Sequence, residues 1–158
     1  MKIKLSNGKP TSEGSIQALQ TALGCPLSGA FSAFLRGNDG AKPEANTFKA
    51  GERTTCRVSR FIPAADILKE RANIENLPRK AYPIAWAAGG NYVFVDEDRN
   101  GAVFFWDHEL PEDTIQLAPD FDAFLNLLEP FDIKSAELKP GQAKKVWIDP
   151  EFLKRLKK

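Results

Sequence analysis

Apolar positions along the chain follow helical spacing first, then strand-like runs, then helical spacing again. Ile16, Leu19 and Leu23 stand at i, i+3 and i+7, which predicts a first helix with one buried face. Thr11 or Ser12 can cap it, Gly24 ends it and Pro26 guards the stop. Ser28 can cap a second, short helix with Phe31, Phe34 and Leu35 turned inward, closed by Gly37-Asn38-Asp39-Gly40. Residues 41–52 are polar and carry Pro and Gly, which predicts a mobile, irregular connection. Residues 54–62 alternate loosely around Val58, Phe61 and Ile62 and read as a strand. Pro63 can take the first position of a third helix, with Ile67, Leu68, Ala72 and Ile74 on its buried face and Pro78 after its end.

The most informative stretch is residues 82–109. A short strand at 84–87 leads through the Gly89-Gly90 turn into two apolar β-runs, 91–95 and 102–106. Between them lies Asp98-Arg99-Asn100-Gly101, and the Asn-Gly pair suits a hairpin because both residues tolerate φ > 0. Asp96, Glu97 and Asp98 crowd the tip, while Asp107, His108 and Glu109 follow the second strand, so the segment reads as a stiff piece of sheet with an acidic rim. Ile115-Gln116-Leu117 is one more strand. Asp120 or Asp122 caps a helix with Phe121, Phe124, Leu125 and Leu128 on one face, ended by Pro130. Beyond a Pro-Gly turn at 139–142, residues 146–148 are strand-like and 150–156 form a short amphipathic helix with Lys154, Arg155, Lys157 and Lys158 at its end. Helices, then strands in hairpin order, then helices, make an α+β pattern with a mostly antiparallel central sheet and helices packed against it.

With 158 residues the expectation is a single domain spanning 1–158, with a core of about 12–130 and a C-terminal extension over 133–158. A domain of that size buries about 70% of its unfolded surface and folds without staples. No run approaches 18 uncharged apolar residues, and the first residues lack a signal-peptide core, so neither a membrane span nor a secretory leader is expected. Cys25 and Cys56 have no metal-like spacing and are expected as reduced thiols of a cytoplasmic protein. The net charge of +1 conceals an asymmetry: residues 1–95 carry +6, residues 96–132 carry −10 and residues 133–158 carry +5. The acidic segment repels nucleic acid and attracts a basic protein surface; spread over several faces, the same charges would only aid solubility.

Candidate chemistry is sparse. Asp96-Glu97-Asp98-Arg99-Asn100-Gly101 fits a calcium-loop pattern, with Asp107 where the last ligand would stand. Its flanks are strands, Asp is short for that last position, and Phe104 and Phe105 would fall inside the loop, so an acidic hairpin without metal is the better reading. His108, the single histidine, lies between carboxylates but has no marked nucleophile beside it. Gly89-Gly90 precedes a strand rather than a helix, which fits no phosphate-binding fingerprint. Trp86, Trp106 and Trp147 read as core or interface anchors, and Tyr92 as a candidate anchor. No catalytic set and no cofactor follow from these residues.

One succession of motifs carries a resemblance. It runs Leu23-Gly24-Cys25-Pro26-Leu27, Phe31-Ser32-Ala33-Phe34-Leu35, Asn38-Asp39-Gly40, Phe61-Ile62, Pro83-Ile84-Ala85 and Gly89-Gly90-Asn91-Tyr92-Val93-Phe94. Gly101-Ala102-Val103-Phe104-Phe105-Trp106-Asp107-His108-Glu109 and Phe121-Asp122-Ala123-Phe124-Leu125 complete it. Over roughly residues 12–130 this order resembles the SUKH superfamily, which takes in a fungal regulator of cell-wall assembly and many bacterial immunity proteins. The first helix lacks an aromatic common in such proteins, and the tail after Pro130 is less typical. The resemblance implies an α+β, non-catalytic binding protein whose partner is a toxin domain, often a nuclease, and it carries over no catalytic residues. The alternative is an intracellular regulatory adaptor with a different protein partner; monomer or homodimer stays open. On charge, the expected partner-binding residues are Asp96, Glu97, Asp98, Asp107, Glu109, Glu112 and Asp113.

Overall fold

Ser12 and Ser28 start the first two helices. In the computed structural model, which describes residues 4–51, 54–74 and 76–130, Ser12 accepts the Ser15 N–H to open α1 (Glu13–Leu23). Gly24, at φ 76°, closes that helix by donating to the Gln20 carbonyl. Ser28 accepts the Phe31 N–H to open α2 (Gly29–Asn38). Both helices bury the faces their spacing predicts: Ile16, Leu19 and Leu23 on one, Phe31, Phe34 and Leu35 on the other.

The strands form an antiparallel meander. β3 (Thr47–Ala50), β4 (Thr54–Phe61), β5 (Ala81–Ala87), β6 (Asn91–Asp96), β7 (Ala102–Asp107) and β8 (Leu110–Ala118) lie side by side in chain order. A separate ribbon pairs β1 (Leu5–Ser6) with β2 (Lys42–Pro43). Pro83 lies inside a central strand, which is tolerated because the β5–β6 register shifts between Pro83 and Ala85 and the missing N–H falls at that bulge. Asp120 accepts the Ala123 N–H and opens α4 (Phe121–Leu127).

Two expectations are corrected. Residues 41–52 are not an irregular connection: they contain β2 and β3, with Phe48 and Ala50 buried from alternate positions. The alternation extends over only four residues, too short to stand out among polar neighbours, and pairing with β4 is what fixes it. The third helix is shorter than predicted. A 3-10 turn over Ala64–Asp66 precedes α3 (Ile67–Arg71), with Pro63 capping rather than occupying the first helical position. Five residues cannot carry a full face, so Ile67 and Ile74 are buried while Leu68 is 42% exposed and Ala72 is exposed. The expected elements at 139–142, 146–148 and 150–156 lie outside the described residues.

Helices α1, α2 and α4 cover one face of the sheet. There the rings of Phe31, Phe34, Phe61 and Phe121 meet at 4.7–6.3 Å between centroids. Strand twist curls the sheet until Phe48 on β3 lies 5.7 Å from Phe105 on β7. The opposite face holds a second apolar cluster, with Phe94 stacked on Phe104 at 5.3 Å and Ala81, Ala102, Trp106 and Ile74 around them.

Candidate protein-binding surface

The β6–β7 connection is built by its own polar groups. Asp96 accepts the Asp98 N–H at 3.0 Å, its other oxygen lies 3.5 Å from the Arg99 guanidinium, and Asn100 and Gly101 take φ 61° and 75°. The predicted Asn-Gly turn is therefore present, with a 3-10 turn over Glu97–Arg99 ahead of it. Asp96 is only 2% exposed. Its carboxylate shapes the loop and is not offered to a partner. Glu97 accepts the Tyr82 hydroxyl at 2.6 Å, and the same oxygen of Tyr82 accepts the Ser28 N–H at 3.1 Å. Burial first, and then Glu97, push the Tyr82 hydroxyl far above its ordinary range. Asp98 faces Lys80 at 3.7 Å, and Arg99 lies over the Phe104 ring at 4.8 Å. The hairpin tip is thus anchored to the start of α2, and Asp96 and Asp98 have nearby counter-charges. Tyr82→Phe removes the donor to Glu97 and the acceptor of Ser28, so we expect a loss of about 1–3 kcal/mol in urea unfolding.

The remaining acidic residues lie elsewhere. Antiparallel pairing sends Asp107 to the far end of β7, about 17 Å from the hairpin tip for five strand steps. There Asp107 accepts the Glu109 N–H at 2.9 Å, Glu109 is 79% exposed, and Glu112 and Asp113 are exposed. The rim expected from sequence is two clusters at opposite ends of one strand. The same separation prevents Asp96 and Asp107 from sharing a cation, and among the described residues no three His, Cys, Asp or Glu side chains are grouped for a metal.

His108 is half exposed and tied to Asn91, whose amide oxygen lies 2.7 Å from Nδ1 and accepts the His108 backbone N–H at 3.1 Å. Cys25 and Cys56 are free and buried. Burial pushes both thiols up, the opposite of what a thiolate nucleophile requires.

Glu70 on α3 is a group the sequence pattern did not single out. It accepts the Tyr92 hydroxyl at 2.6 Å and bonds the Trp86 side chain, clamping α3 to the second face of the sheet. Tyr92 is therefore a half-buried structural residue at its hydroxyl end. Burial acts to raise the Glu70 carboxyl, but hydrogen bonds from Tyr92, Trp86 and Asn73 and the charge of Lys69 outweigh it and leave it below 4.5. Burial, and then the bond to Glu70, push the Tyr92 hydroxyl up from 10 to about 12. The lowered carboxyl stabilises the fold above its unfolded value and loses that contribution as pH falls through the folded value. The raised hydroxyl stabilises it below pH 10 and loses that as pH rises toward 12. Glu70→Gln is expected to cost about 1 kcal/mol at pH 7, allowing for partial exposure, and to flatten both limbs of a urea-midpoint profile.

These elements define an α+β protein built on a six-stranded meander, with polar loops at both ends of its central strands and no membrane-length apolar helix among the described residues. The profile of the SMI1 / KNR4 family (SUKH-1) matches residues 10–127, about three quarters of the chain, and the chain belongs to that family. Over 51 residues, 32% of this chain, it is 47% identical to the SPbeta prophage-derived uncharacterized protein YokK of Bacillus subtilis (strain 168). That stretch covers 23% of the relative's length.

Proposed function

We propose that the protein is a non-catalytic immunity protein that neutralises a toxin domain by binding it. The observation that carries this reading is the charge of the β7–β8 side. From residue 100 to residue 130 the sequence contains no Lys or Arg, while Asp107, Glu109, Glu112 and Asp113 cluster at one turn. Family membership and the prophage origin of a relative support the same reading. A nuclease toxin must hold phosphates and therefore has a basic working surface. An acidic protein surface attracts that surface, speeds encounter and blocks access. Of the residues expected on charge, Glu97, Asp98, Asp107, Glu109, Glu112 and Asp113 remain candidates, and Asp96 supports the loop from beneath. The site of action is the cytoplasm, where the toxin would otherwise reach nucleic acid.

The test is capture of the bound partner by the tagged protein in its host, followed by co-expression with any toxin domain so captured. Restored growth and a stable 1:1 complex of the purified proteins are the expected results. Unrestored growth with no complex would sink the proposal. A stable complex with a housekeeping protein instead would favour the adaptor reading.

A further inference from the structure

We infer that Asn7 is a site of spontaneous modification, where the chain converts its own Asn-Gly step to isoaspartate and thereby releases the β1–β2 ribbon. The reaction needs no enzyme. The Gly8 amide nitrogen gives its proton to solvent and attacks Cγ of Asn7. The C–N bond of the side-chain amide breaks, and ammonia leaves. Water then opens the resulting five-membered imide. Opening at Cγ gives aspartate. Opening at the backbone carbonyl leaves Gly8 joined to Cγ, with an extra methylene in the main chain. The balance is one ammonia lost and one water gained, with no oxidant or reductant.

Two steps of the chain have this chemistry, Asn7-Gly8 and Asn100-Gly101. At every other asparagine the next residue carries a side chain that crowds the attacking nitrogen. Asn7 and Asn100 are both exposed and both left-handed, at φ 62° and 61°, so leaving that conformation costs them alike. They differ in what holds the nitrogen. Gly101 donates to the Asp96 carbonyl at 3.1 Å and Asn100 to the Glu97 carbonyl at 3.3 Å, so the nucleophile is occupied and its turn is closed. Among the described residues the Gly8 N–H makes no hydrogen bond, and Asn7 is held from one side by a ribbon of two residue pairs. The attacking geometry is therefore reached at Asn7 with fewer bonds broken.

The added methylene falls between two fixed points. On one side β1 pairs with β2. On the other, Lys9 and Asp39 exchange backbone hydrogen bonds of 3.0 and 2.8 Å. Gly8 has no room to absorb the length, since a Cβ there would stand 2.9 Å from Cα of Asn38. The Asp39 carboxylate also accepts the Thr11 hydroxyl and the Ala64 N–H, so the Lys9–Asp39 pair is the stronger anchor and the ribbon gives way.

The test ages the purified full chain in warm, mildly alkaline buffer made with heavy-oxygen water, then maps its peptides for amide loss, label uptake and isoaspartate. In the folded protein Asn7 should convert at least about tenfold faster than Asn100. In urea, which removes the tertiary restraint on both, the two rates should converge. Equal rates in the folded protein, or a bias to Asn7 that persists in urea, overturns the inference. In the separated isoaspartyl form, exchange of the Glu44 amide, which donates to the Lys4 carbonyl, should quicken at least about tenfold while Val93 is unchanged. Asn7→Asp brings the charge without the methylene and should leave Glu44 protected. Unchanged Glu44 exchange in the isoaspartyl form, or equal quickening in Asn7→Asp, overturns the release of the ribbon.

Discussion

Replacing Glu109, Glu112 and Asp113 together by lysine is expected to slow association with the toxin domain about 10–100-fold at low salt. All three side chains are exposed, and among the described residues none is in an ion pair with Lys or Arg, so no described cation pairs with them. Asp107 is left in place because it accepts the Glu109 N–H and holds the turn. Steering acts on encounter, so the change belongs mainly to the on-rate. It should shrink as salt rises, because screening falls to about 10 Å at 0.1 M. Stopped-flow mixing at two ionic strengths measures both effects. Asp98→Lys is the control. It reverses a charge that already faces Lys80, at the opposite end of β7, and should change the rate much less. Equal slowing by the control would mean that the hairpin tip, not the β7–β8 arm, meets the partner.

How much of this was legible in the sequence depends on the range of the forces involved. Helices α1, α2 and α4 were readable because cap, apolar spacing and stop agree within a dozen residues, as at Ser12, Ile16–Leu19–Leu23 and Gly24. The Asn100-Gly101 turn was readable for the same local reason. β3 was not, since four residues with two inward positions have no local signature and depend on pairing with β4 and on the Glu129 backbone. The acidic string misled in a specific way. It is nearly continuous in sequence, yet β7 intervenes and carries Asp107 to the other end of the sheet. Asp96 looked like the rest of the string, and only tertiary packing shows it buried beneath its own loop. Leu110 sits in no apolar period, and the burial of the Trp106 indole N–H without an acceptor among the described residues can be seen only when its neighbours are placed.

Phe121→Ala is expected to destabilise the fold by about 3–5 kcal/mol, which in a chain of this size lowers the melting temperature by about 10–15 °C. Phe121 is buried and stands edge-on to three rings, Phe31 at 5.2 Å, Phe34 at 5.1 Å and Phe61 at 6.1 Å. These belong to α2 and β4, so one side chain joins α4 to a helix and to the sheet. Truncation leaves a cavity between rigid aromatic neighbours that cannot all close on it. Phe121→Leu, which keeps much of the volume, should cost distinctly less. The loss should also spread along the chain. Past α4, Glu129 and Thr47 exchange two backbone hydrogen bonds of 2.9 Å, so a loosened α4 releases β3. Hydrogen exchange should therefore quicken at Thr47 and Glu129 more than at Val93 or Val103, which lie in the sheet centre. Uniform quickening at all four amides would mean that α4 and the sheet unfold as one unit.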